Sequence, residues 1–251
     1  MNYIHLDEVK STNSWLLSEL AAGAELPEWT VVWTKRQTAG RGQIGNSWEA
    51  EPDKNVSFSV LLRPDFIAPR CQFVLSQLTA LAVADALPQS VIKWPNDIFV
   101  NEGKICGMLI ENQLMGSKLA YSVVGIGINV NQRHWVGNAP NPTSLSLITG
   151  TEHDPEHVMQ QVVANMQHYY QQLLNNVQQA SDFLHQQFLQ KLYWREEWHD
   201  FVDAQTGEPF RARIHGVEPE GPLLLQTASG EVRSYMFKEV KFVLPCGVTK
   251  E

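Results

Sequence analysis

Alternation of apolar and polar positions organises the middle of the chain. NVSFSVLL carries Val56, Phe58, Val60 and Leu62 at every second position, which predicts a strand with one well-buried face; TVVWTK from Thr30 predicts another. VIKW runs into a break at Pro95 and resumes as DIFV. NEGK then reads as a tight hairpin turn, and KICGMLIEN and LAYSVVGIGINVN follow as further strands. Short turns between successive strands favour antiparallel pairing and speak against a doubly wound parallel sheet. Helical spacing appears elsewhere. Trp15, Leu16 and Leu20 follow a candidate N-cap at Ser11 or Thr12 and stop near Gly23. Residues 70–87 read as a helix. From Asp154, Val158, Met159, Val162, Val163, Met166, Tyr169, Tyr170, Leu173, Leu174 and Val177 form one apolar stripe, better suited to core packing than to a cofactor. A further helix is predicted over 181–193. After about Asp203 the pattern returns to short strands, PFRARIHGV, GPLLLQTA and EVRSYMFKEVKFVL, separated by Glu-Pro-Glu-Gly and Ser-Gly turns. The expectation is an α+β chain: a mixed, largely antiparallel central sheet with packed helices over residues 1–200, and a small C-terminal β-barrel over residues 201–251. So short a barrel would be marginal alone and should lean on the larger domain.

Composition narrows the class without changing that picture. The 251 residues are 43% hydrophobic and 18% charged, an ordinary balance for a globular enzyme, with a formal charge of −8. So acidic a chain lacks the positive field that non-specific nucleic-acid binding uses. No apolar run approaches a membrane span, and MNYIHLDEVK has no secretory pattern, so a cytoplasmic protein is expected. Cys71, Cys106 and Cys246 are odd in number and lack metal-ligand spacing, which favours reduced thiols.

Candidate chemistry lies in the connections and in two strands. RQTAGRGQIGNSWEAEPDK, between the first two central strands, is a long glycine-rich loop of the kind that is functional or disordered. Its Gly40-Arg41-Gly42-Gln43 segment combines backbone freedom with a planar cation suited to carboxylate or phosphate. It is not a P-loop, because GxxxxGK[ST] is absent. In KWPND, the turn at Pro95 holds Lys93, Asn96 and Asp97 with little entropy to lose. Asp97 is a candidate to orient or deprotonate an amine, although local chemistry alone favours Asn96 and Asp97 as turn caps. Lys104 enters the next strand, and Gly107 within it marks close approach by another group. Gly125-Ile126-Gly127-Ile128-Asn129 repeats that signal. Its glycines bare one face, against which a flat aromatic ligand could lie, with Asn129 reading the ligand's edge.

Taken in order, Ser11-Thr12-Asn13, GRGQ with Trp48 five residues on, KWPND, the GK strand with Gly107 and Glu111, and GIGIN resemble class I, monofunctional biotin protein ligases over nearly the whole chain. The resemblance implies a catalytic domain like those of class II aminoacyl-tRNA synthetases and biotin ligases, and an SH3-like barrel. It assigns biotin to Ser11, Thr12, Asn13, Gln37, Gly40, Arg41, Gly42, Gln43, Lys104, Gly107, Leu109 and Gly125. ATP and its adenylate fall to Arg41, Trp48, Lys93, Asn96, Lys104, Gly127 and Asn129, with Trp48 against adenine and Asn129 at its edge. Lys104, Arg41 and Asp97 are the implied catalytic residues. Magnesium is expected to arrive on the phosphates, its protein ligands unknown.

The implied chemistry is ATP-dependent formation of biotinyl-5'-AMP, then transfer of biotin to a lysine of a biotin carboxyl carrier domain of acetyl-CoA carboxylase or a related carboxylase. Few residues precede Ser11, so no DNA-binding repressor domain and no nucleic-acid or membrane partner is expected. An exposed sheet edge leaves room for a homodimer. Two rivals are a lipoate or octanoate transferase, which shares the broad fold, and a biotin-sensing DNA-binding regulator. One departure has a consequence for retention: the family's closing loop often reads GRGRRG, and here Gln43 and Ile44 replace the last two arginines. Gln43 carries no charge. Gln43→Arg should slow escape of the adenylate intermediate; an unchanged release rate would count against that assignment.

Overall fold

The computed structural model describes residues 1–43, 45–137 and 141–245; Ile44 and Cys246 lie outside them. The chain runs through β1 (Asn2–His5), α1 (Thr12–Ala21), β2 (Thr30–Thr34), β3 (Gly40–Arg41), β4 (Ser47–Trp48) and β5 (Val56–Leu62). It continues through α2 (Phe73–Ala86), β6 (Ser90–Lys93), β7 (Asp97–Val100), β8 (Gly103–Met115), β9 (Lys118–Ile128) and α3 (Leu145–Thr149). After α4 (Pro155–Asn175) and α5 (Val177–Gln190), the strands β10 (Trp198–Asp203), β11 (Pro209–Val217), β12 (Leu223–Thr227), β13 (Val232–Tyr235) and β14 (Val240–Phe242) complete it. The central sheet has the order β1-β2-β5-β9-β8-β7-β6, and the C-terminal one β13-β12-β11-β10-β14. This is the expected α+β architecture. The central pairings are antiparallel except β1–β2, which is parallel.

The two faces of the central sheet have different fates. The apolar parity of β2, β5 and β9, including Val31, Phe58, Val60, Val124, Ile126 and Ile128, is buried in the main core beneath α2, α4 and α5. On the opposite face α1 lays Leu16 over Val32, Leu61 and Val123, a small cluster with no solvent exposure. Fully burying each such side chain contributes about 1.5–3 kcal/mol. The α1 patch covers only part of that face. Further along the same parity, β5 places Ser57 and Ser59 and β9 places Gly125 and Gly127, positions that offer no apolar side chain to bury.

Several boundaries differ from the sequence reading. Val177 starts α5 rather than closing the α4 stripe, because Asn176 leaves helical geometry and its side chain accepts the Gln179 N–H. The predicted 181–193 helix therefore runs 177–190. The helix expected over 70–87 is a short 3-10 turn at Pro69–Cys71 followed by α2. β1, α3 and β10 escaped the sequence reading; Asn2–His5 shows only a half-buried alternation on an edge strand. The C-terminal sheet begins at Trp198, before the Asp203 at which alternation becomes visible. It shares the main core through Phe201, Ala212, Ile214, Leu223 and Leu225. No helix among the described residues is long and apolar enough to cross a membrane.

Candidate active site

Strand register lines up the site. Lys93 on β6 pairs with Asp97 on β7, Asp97 with Gly107 on β8, Gly107 with Gly127 on β9, and Gly127 with Ser57 on β5. The adjacent row is Leu109, Gly125 and Ser59. Residues paired across strands share a face, so charge stands at one end of a glycine floor and hydroxyls at the other.

The floor is not bare. A Cβ on Gly125 would collide with the Asn13 amide, and one on Gly127 would lie 2.5 Å from Trp48 Nε1. The expected flat aromatic ligand against the glycine face is thus corrected: the protein's own indole and amide occupy it, and a ligand must lie beside them. Glycine is required there because the side chains of Asn13 and Trp48 rest directly on backbone.

Around this floor the start of α1 builds a polar wall. Ser11 caps the helix. The Thr12 N–H donates to Gln37 Oε1 at 3.0 Å. Ser59 Oγ lies 2.5 Å from Asn13 Oδ1 and 2.7 Å from Thr12 Oγ1. Asn13 Nδ2 donates to Leu109 O at 3.1 Å and to Glu111 Oε2 at 2.8 Å. The same carboxylate oxygen takes the Arg41 guanidinium at 2.8 Å, tying the glycine-rich loop to β8. That loop contains its own ribbon: β3 and β4 pair Gly40 with Trp48 and Arg41 with Ser47, and the Gly42 N–H donates to Asn46 O at 3.0 Å.

At the charged end, Lys104 Nζ stands 2.6 Å from Asp97 Oδ1, each side chain about one-fifth exposed. Lys104 Nζ is also 5.7 Å from the Trp48 ring centroid. Burial lowers the Lys93 ammonium from its ordinary range, Asp97 opposing this and Lys104 adding to it. Asn96 spends its amide on the turn, with Nδ2 donating to Met108 O at 2.6 Å and its carbonyl accepting the Met108 N–H at 2.9 Å. Burial pushes the Cys106 thiol far up, so it is inert at neutral pH. Cys71 is exposed and unbridged.

Two cavities meet here. The first, about 220 Å3, is lined by Ser11, Thr12, Asn13, Gln37, Arg41, Gly42, Gln43, Trp48, Lys93, Asn96, Asp97, Lys104, Gly107, Leu109, Gly125 and Gly127, among others. Gly40 lies outside this lining, packed under Trp48 and Gln37. The second, about 640 Å3, shares Trp48, Asp97 and Lys104 with the first and continues to Asn129, Trp135 and Pro142. Asn129 Nδ2 donates to Thr143 O at 3.0 Å, whereas its Oδ1 is buried without a partner among the described residues. Ser57 Oγ and Trp48 Nε1 are likewise unpaired. An unpaired buried polar atom costs about 1–3 kcal/mol, a cost that Asn112 Oδ1 and Ser122 Oγ carry as well, outside both cavity linings. Sequence reasoning missed Ser57, Ser59, Glu49 and Trp135. The serines carried a signal, being the polar positions opposite the glycines. Glu49 carried none: it accepts the Val136 N–H at 2.9 Å and the Gly137 N–H at 2.7 Å, which fixes the Trp135 wall through a purely tertiary contact. Among the described residues no three His, Cys, Asp or Glu converge on a common point.

Known proteins resemble this chain in sequence and in fold. The family model for the biotin/lipoate A/B protein ligases matches residues 6–129. The bifunctional ligase/repressor BirA of Bacillus subtilis is 30% identical over 238 residues, spanning 91% of this chain and 70% of that protein. The biotin–[acetyl-CoA-carboxylase] ligase of Paracoccus denitrificans is 35% identical over 162 residues, spanning 60% of this chain and 65% of its own. Among solved structures, the Aquifex aeolicus biotin protein ligase in complex with biotin and ATP matches with a TM-score of 0.77 and 26% identity, covering 97% of this chain and 99% of that one.

The tight contact at Gly127 is open to test. Gly127→Ala should push the Trp48 indole off the sheet, because a side chain cannot share that space without overpacking. The measurement is the acrylamide-quenchable share of tryptophan emission. It should rise in Gly127→Ala, and the rise should vanish in a Trp48→Phe background; an unchanged share would show that the indole tolerates the methyl group.

Proposed function

The chain belongs to the biotin/lipoate A/B protein ligase family, and from that premise we propose that it is an ATP-dependent, monofunctional biotin protein ligase. It makes biotinyl-5'-AMP and transfers the biotinyl group to a lysine of a carboxylase carrier domain. The observation that carries the reading is the position of the Lys104–Asp97 pair between two joined cavities. One cavity is a polar-walled cleft closed by a loop arginine; the other leads to an unsatisfied buried acceptor.

Each part has a role in this reading. Ser11, Thr12, Asn13 and Gln37 meet the ureido ring with hydroxyl and amide groups, and the valeryl carboxylate extends towards Lys104. The nucleotide occupies the second cavity, where the orphaned Asn129 Oδ1 accepts from the exocyclic amine of adenine. In the first step a carboxylate oxygen of biotin forms a bond to the α-phosphorus of ATP, and the bond to pyrophosphate breaks. Negative charge grows on the phosphate oxygens, and Lys104 and Arg41 offset it in a site shielded from water. Magnesium would be held mainly through the nucleotide phosphates, with Asp97 the carboxylate common to both cavity linings. It supplies further charge neutralisation when bound.

In the second step the carrier lysine, as a neutral amine, attacks the acyl carbon and AMP leaves. Lys104 and Asp97 are partners before ligand binds. Drawing Lys104 to the phosphate frees the Asp97 carboxylate to take a proton from the amine, so one ion pair serves both steps in order. The Arg41–Glu111 tie keeps the loop down over the intermediate between them. The proposal extends to a division into a catalytic domain, 1–200, and a barrel, 201–251. It also extends to a cytoplasmic setting and to a homodimer through the outer edge of β1, which among the described residues pairs only with β2.

Purified protein offered biotin and ATP should release pyrophosphate and label a carrier domain, and lipoate in place of biotin should not support either step. Lys104→Ala should lower pyrophosphate release by roughly 10²–10³-fold with folding intact; near-normal release would refute its role. Asp97→Ala should slow transfer from preformed adenylate by roughly 10²–10⁴-fold. A normal transfer rate would reject it as the base.

A further inference from the structure

Lys93 closes β6 on the cavity face of the sheet, level with Asp97. The carboxylate whose charge acts on Lys93 is committed elsewhere: Asp97 is bonded to Lys104. Among the described residues, Lys93 Nζ has no carboxylate oxygen within 4.0 Å. Its partners are aromatic. Nζ stands 4.4 Å from the centroid of Phe242 and 5.9 Å from that of Phe99. Phe99 belongs to β7 of the central sheet, but Phe242 comes from β14, in the C-terminal barrel.

Phe242 is held by other rings. It pairs in register with Phe201 and meets it edge-on at 5.1 Å. It stacks on Trp194 at 5.7 Å, and Trp194 lies flat on His199 at 3.7 Å and on Tyr193 at 4.8 Å. A run of rings therefore passes from the segment after α5 through the barrel and ends on an ammonium in the cavity. The choice of a ring matters chemically. A carboxylate at this place would neutralise Lys93, whereas a ring face attracts the cation and leaves its charge intact for an incoming anion. The charged groups facing Lys93 are Asp97 on β7 and Lys104 on β8; β14 contributes only the ring.

We propose that Phe242 is a positioning residue for the nucleotide-activating step: its ring holds the Lys93 ammonium beside Lys104 as a second cation for the polyphosphate, so the barrel forms part of the adenylation site. This rests on the ligase reading above, which assigns Lys93 to the nucleotide.

The test is Phe242→Leu in the full chain, which keeps apolar bulk and removes the ring face. The KM for ATP in biotin-dependent pyrophosphate release should rise roughly 2- to 30-fold, while biotin affinity measured without ATP stays unchanged. Loss of the ring makes the charged form less favourable, so the alkaline limb of the rate profile should move to lower pH. Phe242→Tyr should restore both. Since Phe242 acts through Lys93, adding Phe242→Leu to Lys93→Gln should cost nothing further. A direct reading needs no catalysis: the 13Cε resonance of Lys93, assigned by its loss in Lys93→Arg, should titrate at lower pH in Phe242→Leu than in the parent. An unmoved titration, or additive losses in the double variant, would overturn the proposal. If Phe242→Leu fails to fold, the comparison of Phe242→Tyr with Phe242→Met decides it by the same titration, equal midpoints overturning it. If the parent consumes no ATP with biotin, the ligase reading falls, and the Lys93 titration still judges whether the ring holds the cation.

Discussion

Direct packing of two side chains on bare backbone is the constraint from which the site follows. Asn13 rests on Gly125 and Trp48 on Gly127, each at a distance no Cβ would allow, and a Cβ on Gly107 would lie tightly, 3.1 Å, against the same indole. Because Asn13 is pinned at this depth, its amide reaches Leu109 O and Glu111 on the next strand while Ser59 approaches from the other side. Glu111 in turn receives Arg41 and brings the glycine-rich loop down. Because the indole is pinned, it forms the shared wall of two cavities and stands beside Lys104. Remove the three glycines and wall, loop and partition lose their common reference.

The sheet achieves this by treating one face in two ways. Where α1 crosses, Leu16, Val32, Leu61 and Val123 bury apolar surface and hold the helix in place. Beyond the helix the same parity offers hydroxyls, glycines and charges with Leu109 as an isolated apolar side chain, too little apolar surface to drive a second helix to cover it. The exposed remainder is a cleft whose polar atoms are partly unsatisfied. Ser57 Oγ, Trp48 Nε1 and Asn129 Oδ1 are buried without partners among the described residues, a standing cost to the fold.

The charged end of the cleft combines two ways of holding a cation. Lys104 is held by Asp97, a partner that the proposed contact with a phosphate would require it to give up. Lys93 is held by the rings of Phe242 and Phe99, which need not be given up. The barrel thus reaches the cleft through an aromatic contact, in keeping with its sharing of the main core.

Much of this was readable along the chain, because it depends on short-range patterns. The period of two in β5 and β9, the turn at KWPND, the Ser11 cap and the glycines at alternate positions each state a local geometry, and the fold obeys them. Their order also carried the family resemblance. The edge strand β1, the short α3 and the start of β10 were not legible: their residues are half-exposed or too few to show a period, and pairing alone makes them regular. Other facts existed only once the sheet closed. Adjacent strands bring Lys104 against Asp97, whereas contacts between separate sheets bring Arg41 against Glu111 and Phe242 over Lys93, across more than half the chain in the last case. The sequence by itself determined which residues were able to bear charge, bend or approach closely; tertiary structure decided which of them met, because register and packing, not proximity in sequence, set the distances over which charges and rings interact.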